Sequence, residues 1–193
     1  ASTEGTGSYS DFVVDRVLLA DDHPVNRKVA LGYLERLGYK WLEEPLLDVD
    51  LHSLKKLREK LDIPICGTEV IAGAQYSTAL YIKEDIVDIV RTDVSWRGGL
   101  TAVMKTAHLA EAFGVRCELH TTIYHGLEMV QLHASLAISN CQFFETLYPF
   151  DDFNFGLKNG LVIKDGYVQA PTGPGLGIEY DWDFIDKHTV EIY

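Results

Sequence analysis

No stretch of the 193 residues approaches the roughly 18 consecutive apolar residues that a membrane-spanning helix needs. The polar opening, residues 1–10, has no apolar core of the kind a signal peptide carries, so a cytoplasmic protein is expected. Cysteine is scarce: Cys66, Cys117 and Cys141 sit in apolar, strand-like runs with no CxxC or zinc spacing. Free thiols are therefore predicted rather than a disulfide framework or a zinc site. Cations are outnumbered, 17 Lys and Arg against 29 Asp and Glu, giving a net charge of −12 and a pI near 4.9. Such a chain repels phosphate backbones and anionic lipid, so neither nucleic acid nor a membrane is expected as a partner. An anionic substrate would need a metal ion or local cations.

What the sequence does contain is 47% hydrophobic residues arranged in alternating patterns, enough for one domain with a real core. Short apolar runs at residues 16–20, 39–42, 63–66, 86–90, 116–119 and 141–144 read as strands. Amphipathic stretches at 27–37, 50–60, 73–83, 99–113 and 126–138, with apolar residues recurring at three and four, read as helices. That order is β-α-β-α, which predicts a parallel sheet, closed or partly closed as a (β/α) barrel. Each strand-like run ends in a side chain able to bind metal or move protons: Asp21 or Asp22, then Glu43, Glu69, Asp93, His120 and Glu145. Counted from Asp21, these residues are 22, 26, 24, 27 and 25 apart, one strand and one helix each time. In a β/α barrel the carboxyl ends of the strands meet at one mouth, so side chains in step with the repeat converge there. The competing structural reading is that the acids cap the helices after each strand, which accounts for one position more easily than for six.

Asp21 or Asp22, Glu43 and Glu69 together form a hard, all-oxygen ligand set suited to Mg²⁺. An ion held there could stabilise the enediolate formed when the carbon next to a carboxylate loses its proton. His120 is the natural proton carrier, because imidazole titrates near neutrality, and Asp93 one strand earlier can orient it. His125, five residues further on, is the rival for that role; His108 and His133 lie on helical stretches and read as structural. Glu145, if protonated, could hydrogen-bond the enediolate.

From residue 41 onward the sequence resembles the mandelate racemase branch of the enolase superfamily. The motifs are GluGluPro (43–45), GlyThrGlu (67–69), ArgThrAspVal followed by GlyGly (91–99), AlaGluAlaPheGly (110–114), His120, Glu145 and ProGlyLeuGly (174–177). The resemblance implies a modified (β/α) barrel with Mg²⁺-dependent α-proton abstraction. By position it makes Glu43 and Glu69 metal ligands, Asp93 and His120 the dyad, and Glu145 the hydrogen-bonding acid. Within the branch, the runs at 91–99 and 119–125 look most like the 3,6-anhydro-L-galactonate cycloisomerases, with sugar-acid dehydratases as the alternative.

No counterpart of the family's N-terminal capping domain or lysine-bearing strand is expected within these residues. In their place, residues 16–39 resemble the first strand and helix of a response-regulator receiver, with Asp21 and Asp22 as its acidic pair. The receiver's phosphoacceptor, switch threonine and lysine have no place in the barrel-like sequence beyond residue 39, so phosphorelay is not expected. The expected organisation is a flexible N-terminus (1–15), β/α barrel units (16–149) and a C-terminal closing segment (150–193). The last includes a hairpin at 161–168, an irregular 171–177 and, by resemblance, a short extended terminus. The leading expectation is an isomerase acting on a small sugar acid; a catalytically silent truncated or chimeric scaffold, its open sheet edge covered by another strand, a partner chain such as a second copy, or the tail, is the other.

Overall fold

The computed structural model describes residues 37–121 and 126–191. The expected strand at 16–20, the metal-ligand candidates Asp21 and Asp22, the receiver-like segment up to residue 36 and the rival histidine His125 all lie outside the described residues.

Four strands, β1 (Leu42–Glu43), β2 (Ile65–Gly67), β3 (Ile89–Thr92) and β4 (Arg116–Leu119), form a parallel sheet in the order of the chain. Each is followed by a helix: α1 (Leu51–Arg58), α2 (Ala74–Lys83), α3 (Gly99–Ala112) and α4 (Gly126–Ala137). The arrangement is the expected arc of a (β/α) barrel, with consecutive strands adjacent and the helices covering one face. Alternation along the strands sorts the side chains. Leu42, Ile65, Val90, Cys117 and Leu119 pack with Leu54 of α1, Tyr81 and Ile82 of α2, and Val103, Ala107 and Ala110 of α3 in the main core. Trp41, Cys66 and Ile89 form a separate cluster on the other face. The register sets Glu43, Cys66, Ile89 and Arg116 level with one another, and the charged pair Arg91 and Glu118 one inward-facing step nearer the carboxyl ends. The interior-facing side of the sheet therefore becomes polar toward its carboxyl end.

Local signals account for the helix starts. The carboxylate of Asp50 accepts the Ser53 amide at 3.1 Å and caps α1. The chain turns from β3 into α3 through Gly98 and Gly99, both at positive φ (+89° and +78°), a conformation that side chains with a Cβ rarely adopt.

The expected sixth strand is absent. Residues 141–144 run beside β4 but hold no ladder, because the buried Glu118 carboxylate accepts the Gln142 and Phe143 amides at 3.2 and 3.1 Å. A strand partner would have taken those donors; only Cys117 N–H to Asn140 O, 2.9 Å, joins the two main chains here.

The tail begins with a helical turn, α5 (Phe150–Phe153), and contains the expected hairpin, β5 (Ile163–Lys164) paired with β6 (Tyr167–Val168). Asp165 and Gly166, both at positive φ, form its turn. Leu157, Leu161, Val168 and Ile178 pack with Met129 and Leu132 of α4. Before the terminus lies a helix, α6 (Trp182–His188), capped by Asp181, which accepts the Phe184 amide at 3.1 Å; Thr189 then turns the chain extended. Among the described residues no helix is long and apolar enough to cross a membrane. The three cysteines are free, Cys66 and Cys117 buried and Cys141 half-buried.

Candidate functional site

The carboxyl ends of β1 to β4 deliver Glu43, Glu69, Arg91, Asp93 and His120 to one mouth, and Glu145 reaches it from the segment beyond α4. The backbone is bent sharply there: Glu44 and Thr68, just past β1 and β2, have φ of 39° and 81°. For a β-branched residue such as Thr68 this is costly, on the order of 1–3 kcal/mol. The fully buried Thr68 hydroxyl donates to Arg91 O at 2.9 Å and accepts from Arg91 N at 3.2 Å, which ties the bend to β3.

His120 and Asp93 are both buried, and His120 Nδ1 lies 3.0 Å from Asp93 Oδ2. The other oxygen of Asp93 accepts the Ser95 and Trp96 amides at 2.7 and 2.6 Å, so the carboxylate is held from both ends. With Asp93 placed to take the Nδ1 hydrogen, Nε2 is the ring nitrogen left to exchange a proton. Nε2 faces Glu69 Oε1 at 3.2 Å. The Trp96 ring, 57% exposed, covers the imidazole at a centroid distance of 5.2 Å. Gln131 of α4, fully buried, donates to His120 O at 3.0 Å and accepts from Val94 N at 3.2 Å, bracing the ends of β3 and β4 together.

The acids converge on Arg91. Its Nε is 3.3 Å from Glu43 Oε1 and 3.3 Å from Glu69 Oε2, and its Nη2 contacts Glu145 Oε2. Glu145 Oε2 also accepts the Thr121 amide at 3.1 Å, and Trp41 Nε1 donates to Glu43 Oε2 at 2.9 Å. Burial pushes the Glu69 carboxyl well above the usual carboxylate range, with His120 and Arg91 pulling the other way. Burial also raises Glu44, partly offset by the hydrogen bond it accepts from the Glu69 amide at 2.7 Å.

The donor chemistry suits a hard cation. Glu43 and Glu69 already share one positive group, and magnesium is commonly held by one or two carboxylates with water completing its shell. Among the described residues no group of three or more His, Cys, Asp or Glu side chains is gathered closely enough to hold a metal.

Of the candidates read from the sequence, the structure thus brings together Glu43, Glu69, Asp93, His120 and Glu145; Asp21, Asp22 and His125 lie outside the described residues. His133 has a structural partner, Leu176 O at 3.1 Å from Nε2. Sequence reasoning missed Arg91, although a charge directly after an apolar strand run was a visible signal, and it missed Gln131, for which the sequence gives no signal. It also missed Arg97, buried, whose Nη2 donates to Ala74 O at 2.8 Å and Thr78 Oγ1 at 2.9 Å, pinning the loop after β3 to α2.

Residues 22–184 match the enolase C-terminal domain-like family. The arabinonate dehydratase of Saccharolobus solfataricus is 31% identical over 145 residues, 75% of this chain and 38% of that protein. Among solved structures, a D-glucarate dehydratase from Agrobacterium tumefaciens, complexed with magnesium, superposes with a TM-score of 0.75 at 39% identity, covering 86% of this chain and 44% of that one. A 3,6-anhydro-D-galactonate cycloisomerase from Zobellia galactanivorans gives 0.68 at 28% identity, covering 82% and 45%. The chain therefore spans less than half the length of these relatives. With the motif-bearing strand ends, the parallel sheet and the matched span in agreement, the chain belongs to the enolase C-terminal domain-like family, alongside sugar-acid dehydratases and cycloisomerases of the mandelate racemase and enolase superfamily.

Proposed function

We propose that this chain carries the site of a Mg²⁺-dependent enzyme that removes the proton α to the carboxylate of a sugar acid, with isomerisation by a cycloisomerase reaction as the outcome. The observation that supports it is the buried His120 and Asp93 pair at 3.0 Å, set at the strand ends beside the acids of β1 and β2. Asp93 holds the Nδ1 hydrogen and balances the charge of the imidazolium, so Nε2 takes the substrate proton. Nε2 now faces Glu69, and that contact must open for the transfer. Glu145, at the opposite end of Arg91, would in its protonated form donate a hydrogen bond to the enediolate. Mg²⁺ held by Glu43 and Glu69, with Asp21 or Asp22, would polarise that carboxylate as a Lewis acid.

The electron pair released at the α carbon then expels the group on the β carbon, the departing oxygen takes up one proton in exchange for the one His120 removed, and the enol left behind tautomerises to a 2-keto acid. In an anhydrosugar acid that group is the ring ether oxygen, which stays in the molecule, and the product is an isomer. In an open sugar acid it is a hydroxyl, lost as water; the arabinonate and D-glucarate dehydratases among the relatives favour this second reading. A small anionic substrate, a cytoplasmic setting and a second copy of the chain as protein partner complete the reading; the charge of −12 supports the absence of a nucleic-acid or membrane partner.

Incubation with MgCl₂ in D₂O and a panel of sugar acids and their 3,6-anhydro forms, followed by proton NMR, tests the proposal. Loss of the C2 proton signal, or product, is expected for at least one compound. Full retention across the panel would contradict it and leave a catalytically silent β/α scaffold.

A further inference from the structure

We infer that Arg91 is a built-in counter-ion of the acid mouth, one that holds Glu43, Glu69 and Glu145 together and competes with a divalent cation for the oxygens of Glu43 and Glu69. The inference rests on the metal-assisted reading of the site and concerns a residue to which that reading gives no chemical role.

Arg91 is 1% exposed and lies within β3. It alternates with Val90 and Thr92, so its side chain shares the inward side with Ile89 and Asp93. Both its amide and its carbonyl are hydrogen-bonded to Thr68 Oγ1. The strand itself delivers the guanidinium, so this is no surface side chain folded over the acids. Its Nε is 3.3 Å from an oxygen of each of Glu43 and Glu69, and Nη2 contacts Glu145.

Charge alone has two consequences here. The carboxyl groups of Glu43, Glu69 and Glu145 gather around one guanidinium, and without it their negative charges would repel one another in a buried setting. Two cations drawn to the same pair of carboxylates also repel each other, so Arg91 weakens metal binding by the same factor that metal weakens its own contacts. Arg91 thereby lets the mouth stay assembled when metal is scarce and raises the metal concentration needed to fill it.

The test is a MgCl₂ titration of the purified chain and of its Arg91→Gln and Arg91→Lys variants, read by calorimetry and by thermal melting. Arg91→Gln is expected to melt lower than the parent in chelator and to bind Mg²⁺ about tenfold more tightly, whereas Arg91→Lys stays within about threefold of the parent. Should Arg91→Gln be unfolded in chelator, its folding on Mg²⁺ addition gives the same affinity by linkage, and failure to fold at any Mg²⁺ concentration would overturn the inference. Equal or weaker binding by Arg91→Gln, with the parent binding normally, overturns the role of Arg91 alone. No binding by any of the three overturns the metal-assisted reading as well.

Discussion

Replacing Gln131 by leucine removes the brace between the two strands that carry the dyad while keeping the size of the side chain. Gln131 is fully buried, and its amide makes one bond to His120 O at 3.0 Å and one from Val94 N at 3.2 Å. Leucine satisfies neither, and both main-chain groups sit at the closed end of the loop after β3, next to Asp93 and His120. An unpaired buried polar group costs about 1–3 kcal/mol. Two such groups, less the favourable transfer of the leucine, give an expected loss of about 2–4 kcal/mol in unfolding free energy. Urea unfolding followed by circular dichroism measures it, with Ser135→Ala on the same helix as a control expected to change stability by about 1 kcal/mol or less. A loss for Gln131→Leu below about 0.5 kcal/mol would show that the brace does not hold these strands, because both groups would then have found other partners.

Glu128 predicts a pH dependence. Burial lifts its carboxyl from 4.5 to about 7, partly opposed by a hydrogen bond with Thr146, so the fold favours the protonated form. An acid raised in the folded state leaves stability unaffected below pH 4.5; stability falls as pH rises from there, and the penalty is complete above 7. The ceiling is about 3 kcal/mol, and partial exposure reduces it to about 1–2 kcal/mol. Glu128→Gln should therefore be more stable than the parent at pH 8 and equal to it at pH 4, as read from urea melts; equal curves at both pH values would refute this. Asp93→Asn should place a donor opposite His120 Nδ1 and move the imidazole hydrogen to Nε2. Proton exchange at the substrate α carbon is expected to fall about 10²-fold or more, whereas the Mg²⁺-dependent rise in melting temperature persists.

The order of elements was legible because hydrophobic period and strand-end chemistry coincide in this sequence. Residues 50–60, 73–83, 99–113 and 126–138 all became helices within a few residues of the expected ends. The first described strand is Leu42–Glu43 rather than 39–42: Gly38, at φ +74°, makes a turn there, and Glu43 is an inward-facing strand residue instead of the first residue beyond the strand. Residues 141–144 have strand-forming composition, but local pattern carries no information about the Glu118 carboxylate that claims their amides. The helix before the terminus was readable in principle, from Asp181 as cap and Lys187 and His188 in the last turn, whereas the family resemblance spoke only of the extended end that begins at Thr189. Arg91 and Gln131 acquire their roles only through register and packing, which no single segment encodes.

Proton exchange at the α carbon, measured in D₂O for His120→Asn and His125→Asn against the parent on whichever sugar acid it exchanges, bears most directly on the proposed chemistry. His120 is the histidine hydrogen-bonded to Asp93 at the strand ends. His120→Asn is expected to abolish exchange while His125→Asn retains a measurable rate; exchange surviving in His120→Asn and lost in His125→Asn would contradict the assignment of His120 as the base.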